Sequence, residues 1–297
     1  MNIVREIDLA IKLTETQSTD GAYTVTYNGQ PLPKDTYMTN DEWIAFLDAM
    51  PQAARIEYGA GSGSELSEKN GRPPKMASYG SSSRLIYRLS RSNSDFHYEK
   101  KLPTTVGGKA NLDGFYEDEK RYIFVESKCH EPYSRHQNVV STCYVDLYEY
   151  INDRMGDNLQ IAMEPCGKER QMEVDYWAER EWLQHFDIKQ MICHLLGIAT
   201  GLLKGTLEQK QIDFLYLLYD PTELALSDDA KKLIDFIYER TCYECNLIDF
   251  PRLFGVILDF LRETKYMGVL SDEQADALVA QFAFRMVSQN SYPPLIK

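Results

Sequence analysis

"NLDGFYEDEKRYIFVESKCHE", residues 111–131, is the stretch on which the fold turns. It contains most of two short apolar runs, "ANLDGFYE" at 110–117 and "YIFVESKC" at 122–129, separated by a charged turn. Each run has strand length, and side chains alternate along a strand. Glu126 and Lys128 therefore share one face, while Val125 and Ser127 point to the other. A hairpin closed by Glu119 and Lys120 as a two-residue loop sets Asp113 opposite Glu126. A four-residue loop sets it opposite Lys128, and a three-residue loop without a bulge turns the acid to the wrong face. The turn holds no Gly or Asn, which the tightest hairpins favour, so the two-residue and four-residue closures both stay open.

Working outward, "SSSRLIYRLSR" at 81–91 begins with hydroxyl N-cap candidates and sets Leu85, Ile86 and Leu89 at helical spacing. "FHYEKKL" at 96–102 reads as a first strand before the hairpin. Beyond it, 185–204 carries Ile188, Ile192, Leu195, Ala199 and Leu202 on one helical stripe. "DFLYLLYDP" at 213–221 suits a buried strand, "DDAKKLIDFIYERTCYE" a helix, and "CNLIDF" a further strand, with two more helical patterns reaching residue 288. Helix, three strands, helix, strand, helix is an α/β order with a mixed sheet.

The N-terminal 58 residues combine a helical pattern, an Asn-Gly hairpin signal in "AYTVTYNGQPL" and a capped helix in "TNDEWIAFLDAM". They read as an N-terminal elaboration at 1–58, ahead of a core at 59–265 and a C-terminal helical extension at 266–297. "GAGSGSELSEKNGRPPK" at 59–75 reads as a loop or flap. It lacks the Gly-Lys-Ser/Thr of a phosphate loop, and no strand precedes a dinucleotide fingerprint.

Composition narrows the classes. A chain of 297 residues with 43% apolar content can bury a sizeable core. Its most apolar stretch, 191–203, is shorter than the ~20 residues of a membrane span. The N-terminus lacks a basic and then apolar order, so a cytoplasmic location is expected, and six cysteines without a dense framework suit a reducing compartment. Cys242 and Cys245 form a lone CxxC, better read as two packed helix residues than as half a zinc site. The net charge of −13 argues against a protein that coats nucleic acid indiscriminately. From Arg72 to Lys109, however, eight cations face two anions, which could steer an anionic substrate towards the hairpin.

Two carboxylates on one sheet face repel each other and need a cation. Mg²⁺, or Mn²⁺ in its place, accepts one or two carboxylates and completes its shell with water and phosphate oxygens. Asp113, Glu126 and the backbone carbonyl of Ser127 are the expected ligands. Lys128 could hold the attacking water and stabilise the charge that develops as a phosphodiester is cleaved. The bland alternative is a solvated face with a cross-strand ion pair, against which stands the apolar run that Glu126 interrupts. Lys75, Arg84 and Arg88 could touch a nucleic-acid backbone or be a helix edge in water. Ser81 to Ser83 read as a cap or a phosphate acceptor at a helix N-terminus. His97 and His130 form no metal cluster with the cysteines.

The Asp113, Glu126, Lys128 spacing on this element order resembles the PD-(D/E)XK nuclease superfamily, with its restriction-endonuclease-like mixed sheet flanked by helices, over roughly 60–265. Leu112 stands where that family has proline. The resemblance implies a divalent-metal-dependent nuclease acting on DNA, with Asp113 and Glu126 on the ion and Lys128 assisting hydrolysis. A further acid that the family often places on the helix before the sheet would fall to Glu65 or to Glu99, and a polar residue on the following helix to Gln190, with His194 one turn later. A homodimer is compatible with this reading. The rival expectation is a catalytically silent module of the same fold serving as a binding or scaffold component.

Overall fold

Alternating burial and well-placed caps divide the chain into short elements. The structure, a computed structural model, describes residues 3–15, 26–27, 30–31, 36–61, 64–134, 138–176, 183 and 185–293. The chain opens with α1 (Ile3–Glu15), a hairpin of β1 (Thr26–Tyr27) and β2 (Gln30–Pro31), α2 (Asn40–Ala49), α3 (Gln52–Gly59) and α4 (Ser82–Ser90). Then come β3 (Phe96–Pro103), β4 (Lys109–Glu117), β5 (Arg121–Lys128), β6 (Val139–Ser141), α5 (Val145–Met155), β7 (Ile161–Pro165) and β8 (Gln171–Tyr176). The last part holds α6 (Ile188–Leu203), β9 (Gln211–Leu218), α7 (Asp228–Asn246), α8 (Phe250–Thr264), α9 (Asp272–Ala280) and β10 (Phe282–Ser288). Side-chain oxygens of Thr39, Ser81, Asp187, Ser227, Asp249 and Ser271 accept N–H groups of the first turns of α2, α4, α6, α7, α8 and α9, which fixes where each helix begins.

The central sheet has the order β10-β9-β5-β4-β3. Its β3–β4 and β4–β5 pairs are antiparallel, and its β5–β9 and β9–β10 pairs are parallel. The architecture is a mixed α/β sheet flanked by helices, with a second antiparallel sheet in the order β6-β8-β7. One face of the central sheet, with Phe115, Phe124, Phe214 and Tyr216, packs against α5, α6 and α8. The other, with Ile123, Val125, Leu215 and Leu217, packs against α1, α2, α3, α4 and α7.

Several expectations change. The segment "CNLIDF" is not a strand: it spans the end of α7, a short turn and the start of α8, where Asp249 caps the new helix. The segment 266–297 is not solely helical, because β10 adds a parallel strand to the central sheet. The polar stretch between β5 and α6 holds α5 and the whole second sheet. Arg84 is 6% exposed and lies with its guanidinium 4.8 Å from the Tyr79 ring centre, so it is a packed residue rather than part of a wet helix edge.

The β4–β5 turn takes the two-residue form. Gly114 pairs with Val125 and Glu117 with Tyr122, and Asp118 N–H reaches the Arg121 carbonyl at 3.1 Å. Asp118 substitutes for the missing Gly or Asn: its Oδ1 accepts Lys120 N–H at 2.8 Å and Arg121 N–H at 2.9 Å. These backbone bonds, against the small opposing effect of burial, hold the Asp118 carboxyl below its usual range.

One residue pair interrupts this regularity. Tyr98 pairs with Gly114 and Lys100 with Leu112, yet Glu99 and Asp113 between them form no ladder pair. Glu99 has a φ of 53°, a left-handed conformation that costs a residue with a Cβ on the order of 1–3 kcal/mol. Both strands change face there without changing register. Phe96 and Tyr98 belong to the α4-side core, whereas Leu102 belongs to the α6-side core, as do Ala110, Leu112 and Phe115.

Helix α6 lies close over the switched ends of β3 and β4. A Cβ at Gly197 would stand 2.6 Å from Ala110 Cβ and 3.1 Å from Leu102 Cβ, atoms fixed by the strand backbones. We predict that Gly197→Val costs roughly 1–3 kcal/mol by overpacking, read as a lower urea midpoint. An unchanged midpoint would mean that α6 has room to move away from the sheet.

Candidate active site

The β4–β5 ladder ends at Gly114 and Val125, and the next polar groups take over the bonding. Ser127 N–H donates to Asp113 Oδ2 at 2.8 Å, so the carboxylate occupies a position where a strand carbonyl would otherwise serve. In an extended strand the N–H and C=O of one residue point the same way. The Ser127 carbonyl therefore faces the Asp113 side, while the Lys128 carbonyl accepts Tyr219 N–H at 2.9 Å on the β9 side. Ser127 Oγ donates to the Ser82 carbonyl at 3.0 Å and ties β5 to the start of α4.

On the α6 face, Glu126 is gripped from two sides. Its Oε1 lies 2.9 Å from Lys128 Nζ, and its Oε2 lies 2.9 Å from His194 Nε2. Lys128 Nζ also donates to Gln190 Oε1 at 2.6 Å. Glu126 and His194 are each 1% exposed and Lys128 is 8% exposed. Gln190 and His194 sit one turn apart on α6, which brings both to the strand that carries the acid and the lysine. His194 Nδ1 has no hydrogen-bond partner among the described residues. A proton there would be a buried donor without an acceptor, so the ring's hydrogen belongs on Nε2, directed at Glu126.

Burial pushes the Glu126 carboxyl up, but Lys128 and His194 outweigh it and hold the group below its usual range. Burial likewise works against the Lys128 ammonium, and Glu126 outweighs it, so Lys128 stays charged well above its usual range. Asp113 behaves differently. Its carboxyl is pushed well above its usual range by burial and then by the charge of Glu126, with Lys128 and the Ser127 N–H only partly opposing.

Asp113, Glu126, Ser127, Lys128 and Gln190 line one cavity of about 510 Å³, and Glu65 and Glu99 also line it. Glu65 is 4% exposed, accepts Ser83 Oγ–H at 2.9 Å and pairs with Lys75 at 2.8 Å. Glu99 Oε2 accepts the Asn111 amide N–H at 2.6 Å. Burial raises the Glu99 carboxyl, the Asn111 bond opposes it, and Glu65 adds to the rise. The structure thus brings Asp113, Glu126, Lys128, Gln190, Glu65 and Glu99 to one cavity, leaves His194 outside its lining and bonded to Glu126, and does not choose between Glu65 and Glu99.

Two participants escaped the sequence reading. Asn111 has its Oδ1 buried without a hydrogen-bond partner among the described residues, an orphaned acceptor inside an acidic cavity. Its position two residues before Asp113 was visible, but nothing marked it as functional. Glu131 closes the far side, accepting Ser82 Oγ–H at 2.7 Å and Cys129 N–H at 2.8 Å. His130 beside it lies 3.3 Å from Asp8 of α1. Burial works against the imidazolium, but Asp8 and Glu131 raise His130 to about 9.

Among the described residues, no group of three or more His, Cys, Asp and Glu side chains forms a ready metal cage. A hard cation does not require one, since Mg²⁺ commonly takes one or two carboxylates with waters. The donor set here, the Asp113 and Glu126 carboxyls, the Ser127 carbonyl and the orphaned Asn111 oxygen, is all oxygen, and a cation beside it would relieve the repulsion from Glu126 that opposes ionisation of Asp113. Those features fit such an ion. All six cysteines are free, and Cys245 is buried while Cys242 is partly buried, in keeping with helix packing. No described helix is long and apolar enough to cross a membrane.

Comparison with known proteins finds no family model, no curated protein and no solved structure that matches this chain.

The raised Asp113 carboxyl fixes a pH dependence. Because the folded chain binds this proton more tightly than the unfolded one, the resulting stabilisation is complete below the ordinary carboxylate range and is lost as pH rises through the raised value. Asp113→Asn retains an oxygen for Ser127 N–H and removes the charge. In metal-free buffer it should melt higher than the parent at about pH 8, with the difference shrinking towards about pH 4. A variant that melts lower throughout would show that the ionised carboxylate stabilises the fold.

Proposed function

We propose that this chain is a divalent-metal-dependent nuclease of the PD-(D/E)XK type, hydrolysing phosphodiester bonds in DNA. The observation that carries the reading is the meeting of Asp113, Glu126 and Lys128 in one cavity, with Gln190 on the lysine. Opposite-facing or distant side chains would have removed it.

In this reading Asp113, Glu126 and the Ser127 carbonyl hold Mg²⁺ or Mn²⁺, with Asn111 beside them. The ion supplies Lewis acidity to a phosphoryl oxygen and lowers the pKa of a bound water. Lys128 remains a cation held between Glu126 and Gln190, so its ammonium can position the attacking water and stabilise charge on the phosphoryl group. His194 orients the Glu126 carboxylate through Nε2, which leaves the Oε1 side towards Lys128. Glu65 and Glu99 bring further negative charge to the same cavity, and Lys75 offsets part of it. DNA is favoured as substrate by the resemblance and by the cationic run before the hairpin, and a homodimer would allow both strands to be cut.

The test is cleavage of a DNA duplex with Mg²⁺ or Mn²⁺, alongside thermal melting. Lys128→Ala should lower the rate by a factor of about 10²–10³, as expected for loss of a charge that stabilises a transition state, while circular dichroism stays close to the parent. The ion should raise the melting temperature of the parent and have little effect on Asp113→Asn, because it binds the folded chain alone. Unchanged cleavage in Lys128→Ala would overturn the assignment. Absence of metal stabilisation together with absence of cleavage would favour the silent binding module.

A further inference from the structure

Gln190 lines a second cavity as well as the first. This one has a volume of about 320 Å³ and lies between the start of α6 and the second sheet, with Val139, Val140, Tyr144 and Cys193 as its apolar wall. Ser141, Asp187 and Lys189 supply its polar groups. The size stands at the small end of ligand pockets, which run from roughly 300 Å³ upward, and suits one flat ring system better than a folded peptide.

The chemistry of the wall is specific. Tyr144 is half-buried, and its hydroxyl lies 3.4 Å from Cys193 Sγ. Burial raises both the Tyr144 hydroxyl and the Cys193 thiol, so neither brings a charge into the cavity. Asp187 caps α6, its Oδ1 accepting Gln190 N–H at 3.0 Å, and Lys189 follows two residues later. An aromatic and aliphatic slot that also presents an acceptor, Asp187, and a donor, Lys189, matches a nucleobase, which has apolar faces and a polar edge. A lipid tail would leave the charged groups without partners.

We infer that this second cavity receives one nucleobase of the substrate strand, unstacked beside the scissile phosphate, with the Tyr144 ring as its stacking platform. The inference rests on the nuclease reading of the first cavity. Gln190 is the link: a phosphate held near Lys128 would place a neighbouring base across the Gln190 wall. The second sheet and Tyr144 occur in the segment inserted between β5 and α6, so the same insertion that covers the α6 side also supplies the base slot.

The test uses the full chain with Lys128 intact and fluorescence anisotropy with a short DNA duplex, with Ca²⁺ in place of Mg²⁺ as a hard, oxygen-binding cation so that binding is read without cutting. A matched duplex lacks the base at one nucleotide, placed in turn at each position around the cut found with the parent. Tyr144→Ala should weaken binding of the intact duplex about tenfold, the loss expected for one stacked base, and should leave unchanged the duplex whose missing base is the one bound. Tyr144→Phe keeps the ring and should bind like its parent. Val139→Trp fills the cavity without removing Tyr144 and should reproduce the selective loss if Tyr144→Ala fails to fold. Equal weakening of all duplexes, or none by either variant, would overturn the base slot. Parent cleavage with Mg²⁺ is recorded separately: absence of cleavage defeats the nuclease reading, whereas cleavage with no selectivity in these variants defeats the base slot alone.

Discussion

The site depends on a single break in the sheet. At Glu99 and Asp113 two antiparallel strands stop bonding to each other, exchange the faces they present, and resume in the same register. Strand pairing alone would bury Asp113 in a ladder with no opening. The left-handed turn of Glu99 stores strain that only the surrounding packing can hold. Beyond the break, the Asp113 carboxylate bonds to Ser127 N–H in place of a strand carbonyl. That one bond ties β4 to β5 past the end of their ladder, at the edge of the cavity.

The charges follow from that geometry. Glu126 is fully buried, yet its two oxygens have two partners, one a lysine and the other a histidine whose remaining nitrogen is without a partner among the described residues. Removing one partner from such a pair would leave an uncompensated buried charge, which costs several kcal/mol in general. Among the described residues Asp113 pairs with no cation and accepts only a backbone N–H, so burial and then the charge of Glu126 push its carboxyl up. The two acids are thus unequal: Glu126 is held below its usual range by its two partners, and Asp113 is raised above its own.

Much of this was readable in the sequence because it obeys period two. The shared face of Glu126 and Lys128 follows from alternation, and one loop length brings Asp113 to the end of the β4–β5 ladder, beside the strand that carries them. What decided the loop length was Asp118, whose side chain bonds to two backbone N–H groups and removes the need for Gly or Asn. Gln190 and His194 were legible as one helix face, and the close packing of Gly197 against Ala110 and Leu102 helps to set that face on β5's acid and lysine. The face switch was not legible, since a non-glycine residue in the left-handed region has no periodic signature. Nor was β10, whose "FAFRMVS" follows a helix so closely that length and spacing give no boundary.

The second sheet was hidden for a different reason. Its strands are short and half-exposed, as in β7 and β8, so few apolar residues repeat along them. Such strands contribute little core and are held by the helix they accompany: Tyr148 of α5 meets Tyr176 of β8 through their hydroxyls at 2.8 Å. An element that adds so little burial, inserted between the strand and the helix that build the site, is free to vary in its outer residues without loss of the fold. The central sheet cannot vary in that way, because Glu126, Lys128 and their partners on α6 must keep their spacing.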